Sequence, residues 1–393
     1  MKKLLIIGAS ILQLPAIKRA KELGYYTAVL DYNPNAVGIR YADEYFNAST
    51  IDIDAVVEVA KQFRPDGIMT LATDMPMRSI AAAAGELSLP GIDMATAIKA
   101  TDKGEMIKAF AECGVSHPWY YIVKNERELD SVMGKLTYPC IVKPTDNAGS
   151  RGVKLIKSEN EVMASYKYAV ESSRSGAVIF EEYMQGNEVS VEIIVKGGEV
   201  HVLAVTDKIT TGAPHFVEMG HTQPSALPAD KVEEIKNLAT RAVKAIGIND
   251  GPAHVEIMLT DKGAKMVELG ARMGGDCITT HLVPLSTGVD MIEATIRIAC
   301  GEVPDVDIRF NKGSAIRYFS VPEGKIKEIS GVGDAEKIPG VKEISFVKGI
   351  GDTVCNIGNS ADRVGFVIAQ ADNAKEAVTA CEKAIAAIKI DIE

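Results

Sequence analysis

The stretch KPTDNAGSRGVKLI, from Lys143 to Ile156, puts a lysine ahead of a run of small residues and sets that run between two apolar segments. A P-loop needs the lysine after its glycines and a helix beyond it. Here Lys143 instead closes the apolar run that begins at Tyr138, and Val153-Lys-Leu-Ile156 has the character of a strand. The expectation is therefore a loop joining two strands. Its residues Asn147 to Gly152 are small or turn-tolerant apart from Arg151. Such a loop can lie over a polyphosphate and present backbone N–H groups as a nest, with Lys143 beneath it. An ordinary glycine-containing hairpin with a surface lysine is the alternative, and the rest of the chain has to decide between them.

The 393 residues exceed one comfortable core and imply roughly two to four domains. A hydrophobic content of 47% with 24% charged residues is that of a folded soluble protein. The formal charge of -10 argues against a nucleic-acid surface but leaves room for an anionic ligand in a locally basic cleft. Six scattered cysteines show no C-x-x-C spacing, so neither a zinc site nor a disulfide framework is indicated. The first residues, MKKLLIIG, do not read as a signal peptide, because the apolar run is short and no A-x-A-like site follows. No window reaches the roughly 18 apolar residues of a membrane span. A cytoplasmic protein is expected.

Outward from the loop, the chain begins as an α/β unit. Residues 2–7 read as a buried parallel strand, Leu12 to Leu23 as a helix stopped at Gly24, and Tyr26 to Leu30 as a second strand ending at Asp31. This resembles the opening of a dinucleotide-binding unit, but only Gly8 of G-x-G-x-x-G is present, so an α/β unit without a dinucleotide is the preferred reading. Thr73-Asp74-Met-Pro opens an alanine-rich helix, and Thr101-Asp-Lys103 opens another. Strand-rich territory follows. Ser158-Glu-Asn-Glu161 has the S-x-x-E capping-box pattern ahead of a helix to about Ser172. Ala177 to Met184 reads as a strand, and Glu188 to Ile194 with Val200 to Val205 as a hairpin. Asp230 to Ile246 reads as a long amphipathic helix. His254 to Leu259 and Lys265 to Leu269 form a strand pair that sets Glu256 and Glu268 at corresponding places. The segment from Thr210 to Gln223 is either a lid or a plain long connection.

Paired glutamates on adjacent strands suit magnesium, which takes oxygen ligands from one or two carboxylates together with substrate phosphates. Taken alone they would be two solvated strand residues. In order, however, the chain presents Lys103, Lys143 with its glycine loop, Glu181-Glu182-Tyr183-Met184, Glu188, Glu256, Glu268 and Arg272. This order resembles the ATP-grasp superfamily of carboxylate-amine ligases over nearly the whole chain. It is nearest in pattern to L-amino acid ligases and the biotin carboxylase-like branch.

The resemblance implies an α/β and α+β multidomain protein. A Rossmann-like parallel domain would span 1–98 and a two-lobed ATP-grasp domain 99–310, with its small lobe at about 115–184 and its large lobe at about 185–310. A small α+β domain would occupy 311–393. Lys103, Lys143 and Lys208 would contact ATP phosphates, and the loop containing Gly149, Ser150, Arg151, Gly152 and Val153 would cover them. Glu181, Glu182, Tyr183 and Met184 would form the hinge that reads adenine, with Glu188 on the ribose. Glu256 and Glu268 would hold Mg2+, with Mn2+ as a substitute.

The string Glu268-Leu-Gly-Ala-Arg272 departs from the common E-x-N-x-R form, because Gly270 cannot ligate through a side chain. Followed by Gly274-Gly275, it looks like the variant seen in L-amino acid ligases. Arg272 would stabilise an oxyanion, Gly274, Gly275 and His254 would lie near substrate, and Arg317 would be a second substrate contact. The implied reaction makes an acyl phosphate from ATP and a carboxylate, which an amine then attacks. The implied partners are small amino acid and amine substrates, with a homodimer as the assembly. Rival readings are a carboxyphosphate-forming enzyme of the biotin carboxylase or purine-pathway kind, and a silent ATP-binding module.

Overall fold

The computed structural model describes residues 1–147, 151–213 and 215–393. Four parallel strands open the chain in the order Glu44–Asn47, Tyr26–Asp31, Lys3–Ile7, Gly67–Met69. Leu4 to Ile7 are wholly buried, as a strand covered on both faces requires. The loop after the first strand satisfies its own donors. Asp31 accepts the Ala9 N–H at 2.7 Å, and Gln13 accepts from the Ser10 N–H and hydroxyl.

This unit is not a loose appendage. Helix Leu14–Glu22 packs on helix Met291–Ala299, where Arg19 bonds both Asp290 and Glu293 at 2.8 and 2.7 Å. One apolar cluster joins Leu5, Ile7 and Phe110 to Val191, Ile193 and Val255 of the central sheet.

That central sheet has eight antiparallel strands in the order Gly263–Gly270, Gly251–Thr260, Asn187–Lys196, Glu199–Thr210, Glu218–Gln223, Gly313–Tyr318, Gly365–Ala371 and Val341–Phe346. Its strands come from both sides of residue 310. Its period of two divides the strands cleanly. Val189, Val191, Ile193, Val255 and Ile257 face an apolar core that includes helix Ala229–Ile246. Ser190, Glu192, His254 and Glu256 face the other way.

The helix is opened by Pro228 and closed by Gly247, whose φ of +96° is the left-handed conformation glycine adopts without strain. It buries Ile235, Val243 and Ile246 completely, each worth about 1.5–3 kcal/mol. It thereby fixes which sheet face is left for chemistry.

The small lobe is a four-stranded antiparallel sheet in the order Tyr120–Val123, Val178–Glu182, Cys140–Pro144, Lys154–Ile156. The strands on either side of the Lys143 to Gly152 segment pair antiparallel, with Cys140 opposite Ile156 and Val142 opposite Lys154.

One local expectation fails. Ser158 makes no capping bond; Glu161 instead accepts from the Lys157 N–H, and a 3-10 turn Glu159–Glu161 precedes helix Val162–Glu171. Within the segment from Thr210 to Gln223, Glu218–Gln223 is a strand of the central sheet with His221 opposite Lys208. Its alternation was hidden by glycine and histidine, which carry little strand preference.

Candidate active site

The polar face of the central sheet brings the sequence-derived residues together by register. Glu256 lies directly opposite Glu268, His254 opposite Gly270, and Glu192 opposite His254 on the third strand. Directly opposed antiparallel residues hold their Cβ atoms about 4.5–5.5 Å apart, so both glutamates enter one cleft. Lys208, whose side chain is only 3% exposed, reaches Glu188 at 2.6 Å, Glu256 at 3.4 Å and Glu218 at 3.7 Å. Burial works against its charge, but the three carboxylates outweigh burial and raise its pKa. Burial would raise the Glu256 pKa, but Lys208, with His254 and Arg272, holds its carboxyl well below the ordinary range.

Each of the three lysines expected from the sequence to contact phosphate is matched to a carboxylate. Lys103 bonds Glu268 at 2.7 Å and the Asn147 carbonyl at 2.8 Å, and Lys143 bonds Glu181 at 2.7 Å. Lysine 103 opens its helix because Asp102 caps the Gly104 and Glu105 N–H groups, which points residue 103 back toward the cleft. A cavity of about 520 Å³ runs between the lobes. Glu181 to Met184, Arg151, Val153, Glu188 and Phe216 line it. Tyr183 and Phe216 stand 6.4 Å apart there, tilted at 55°, and apolar Met258 and Val267 lie across from polar groups in the manner of a nucleotide pocket. Lys265 secures Glu182 at 2.6 Å. Gly152 lies against Pro144, with φ +79°. The expected contacts Gly149 and Ser150 lie outside the described residues.

A second cavity of about 250 Å³ continues from the glutamate pair toward Arg272, Gly275, Asp276, Asn359 and Ser360. Arg272 makes a two-pronged bond to Asp74 of the N-terminal unit, at 3.0 and 2.9 Å. Gly270 is explained by the same pair: a Cβ there would lie 2.7 Å from the Asp74 carboxylate. Gly274 passes so close over His254 that a Cβ would lie 2.6 Å from Nδ1, so its absent side chain permits the crossing. His254 Nδ1 meets the fully buried Glu192 at 2.9 Å, and Nε2 meets Glu256 at 3.3 Å. Burial alone would lower the His254 pKa, but Glu192 and then Glu256 outweigh it and raise it to about 9. The ring is braced between two carboxylates.

Arg317 is not brought to either cavity. Its guanidinium bonds the His221 carbonyl and Thr222 hydroxyl at 3.0 Å on the opposite sheet face. The arginine that the C-terminal region does send toward this cavity is Arg363, which grips Asp276 at 2.7 and 2.8 Å and covers the Tyr318 ring at 3.9 Å. Sequence reading missed Arg363, Glu192 and Glu218. The parity of Glu188, Ser190 and Glu192 along one strand was the available signal for Glu192; nothing local marks Arg363.

The donor set fits Mg2+. Glu256 and Glu268 offer two opposed carboxylates on one cavity wall, and among the described residues no group of three or more His, Cys, Asp or Glu forms a metal cage. An ion there would draw its other ligands from phosphate and water, as Mg2+ commonly does. No helix among the described residues is long and apolar enough to cross a membrane.

Comparison with known proteins supplies the context. Residues 136–280 match the ATP-grasp domain family, and residues 317–393 match L-amino acid ligase C-terminal domain 2. The alanine–anticapsin ligase of Bacillus subtilis is 26% identical over 321 residues, covering 74% of this chain and 66% of that protein. Phosphoribosylglycinamide synthetase from Anaerococcus prevotii superposes with a TM-score of 0.82 at 28% identity over 100% of both chains. The L-amino acid ligase from Bacillus licheniformis gives 0.86 at 23% identity over 100% of this chain and 99% of that one.

Proposed function

We propose that this chain, which carries an ATP-grasp domain and ends in an L-amino acid ligase C-terminal domain, is an ADP-forming ligase joining an amino acid carboxylate to an amine. The observation that carries this reading is the convergence of Lys103, Lys143, Lys208, the glutamate pair and Arg272 on two communicating cavities, one shaped for a nucleotide and one for a small polar substrate.

The substrate carboxylate oxygen attacks the γ-phosphorus of ATP, forming a C(O)–O–P bond as the bond to the β-phosphate oxygen breaks and ADP leaves. Lys103 and Lys143 then exchange their carboxylate partners for phosphate oxygens, so positive charge already lines the path and needs little reorganisation. Mg2+ held by Glu256 and Glu268, with Mn2+ as a substitute, would supply Lewis-acid stabilisation of phosphate charge when bound. An amine nitrogen next attacks the acyl carbon, phosphate departs with the bonding electrons, and the nitrogen loses its proton. Arg272 lines the smaller cavity together with Glu256 and Glu268, where it can meet the oxyanion of that second step.

Substrates are small molecules, and the family resemblance suggests a homodimer, which light scattering would test. The reading itself is tested by ADP and phosphate release with magnesium-ATP against pooled amino acids and, separately, bicarbonate. Turnover that needs amino acids supports the ligase; turnover that needs only bicarbonate overturns it in favour of a carboxyphosphate-forming enzyme.

A further inference from the structure

A third cavity, of about 430 Å³, opens between the N-terminal unit and the small lobe. It meets the other two at Asp74, Lys103 and Glu268, so it leads to the reacting centre from the side opposite the C-terminal region. Asp74 holds Arg272 and Glu268 holds Lys103, while Asp146 is satisfied by neutral donors, accepting the backbone N–H groups of Arg174 and Ser175 and the Ser173 hydroxyl.

The two arginines are not matched. Arg78, on helix Met77–Leu87, bonds only the neutral Thr101 hydroxyl at 2.8 Å. Arg174, across the cavity on the small lobe, spends a guanidinium N–H on the thioether of Met75 at 2.9 Å, a weak acceptor. Neither has an acidic partner among the described residues. Ser79, 1% exposed and lining the same cavity, has no side-chain hydrogen bond among the described residues. Two planar forks facing one cavity with a spare hydroxyl are suited to carboxylate or phosphate, which arginine takes in two-pronged fashion.

We infer that this cavity binds the amine substrate by an anionic group, a carboxylate or a phosphate, which Arg78 and Arg174 hold while the amino nitrogen reaches past Asp74 to the acyl carbon. The inference rests on the ligase reading above. It assigns the two reactants to different cavities: the activated carboxylate beside Arg272 and Gly275, and the attacking amine between the N-terminal unit and the small lobe.

The test compares nucleophiles. Hydroxylamine is small and uncharged, and it traps an acyl phosphate as a hydroxamate without needing an anion site. In Arg78→Met and Arg174→Met, KM for an anionic amine should rise about tenfold or more relative to KM for hydroxylamine, with Arg78→Lys giving an intermediate value. The parent should prefer an amino acid over its amide, or a phosphorylated amine over its dephosphorylated form, by a similar factor, and the double variant should lose that preference. The favoured pair tells carboxylate from phosphate. A parent without either preference, or a preference that survives in the double variant, overturns the inference.

A second arm reads the site without turnover. With a non-hydrolysable ATP analogue filling the nucleotide cavity, inorganic phosphate should raise the unfolding temperature of the parent and not of the double variant; equal shifts overturn the site. If no carboxylate yields a hydroxamate, the ligase reading falls, and the phosphate comparison decides the anion site by itself.

Discussion

Asp74 of the N-terminal unit and Arg272 of the central sheet are joined by two hydrogen bonds of 3.0 and 2.9 Å, and the carboxylate occupies the space a side chain at position 270 would need. Gly270 is therefore not simply a lost metal ligand; it makes room for an ion pair between two units of the chain. Gly270→Asn should force that pair apart and cost about 1–3 kcal/mol in urea unfolding. Adding Asp74→Ala should recover part of the loss, with a coupling of about 1 kcal/mol. An equal penalty with and without Asp74 would refute this account.

The two arginines singled out from the sequence should behave differently. Arg272 lines the cavity and Arg317 does not. Arg272→Met should lower kcat by about 100-fold or more, whereas Arg317→Met should leave ADP release within a few-fold of the parent. Comparable losses in the two variants would place substrate on the other face of the sheet.

Lys208 binds three carboxylates together at the floor of the cleft. Lys208→Met leaves three half-buried carboxylates mutually repelling, at a cost of about 1–3 kcal/mol. Lys208→Arg, which keeps the charge, should cost much less. A Lys208→Met protein of parental stability would mean water enters freely enough to screen the cluster.

If Glu268 is a metal ligand, Glu268→Gln should raise the magnesium needed for half-maximal turnover by about tenfold or more, and chelation should abolish turnover in the parent. An unchanged magnesium requirement would move the metal elsewhere.

Asp276 gives a pH signature. Burial tends to raise its pKa, but Arg363 and His221 overcome this and hold the carboxyl well below its ordinary range. Its folded pKa is thus depressed, so its contribution is present above the unfolded value near 3.9 and is lost as pH falls through the folded one. Arg363→Met should destabilise by about 3 kcal/mol at pH 7, and the difference from the parent should shrink as Asp276 protonates below about pH 4. A gap that is constant down to acid pH would assign the loss to packing on Tyr318.

Much of this site was legible because it is built along single strands. Alternation sets His254 and Glu256 on one face, a four-residue turn matches Glu256 to Glu268, and the small residues after Lys143 announce a loop whatever surrounds it. Each inference uses only the backbone period and residues within a few positions of one another. The strand Glu218–Gln223 was missed because its pairing with Gly313–Tyr318 comes from far along the chain, while its own residues carry weak strand preference.

Alternation groups residues by face but cannot say which face meets the cleft. On strand Gly313–Tyr318, Ile316 and Tyr318 pack against Ile278 and Leu282, so Ala315 and Arg317 turn toward helix Ala374–Ala387. That choice belongs to the layer packed on each side. The sequence by itself therefore determined the order of the parts, the loop after Lys143 and the opposed glutamates, all consequences of local period and turn chemistry. Only the tertiary structure decided that Asp74 meets Arg272, that Glu192 braces His254, that Arg363 rather than Arg317 pairs with Asp276, and that Arg78 and Arg174 line one cavity. Those partners lie tens to hundreds of residues apart, and their meeting depends on how buried apolar faces dock the units together.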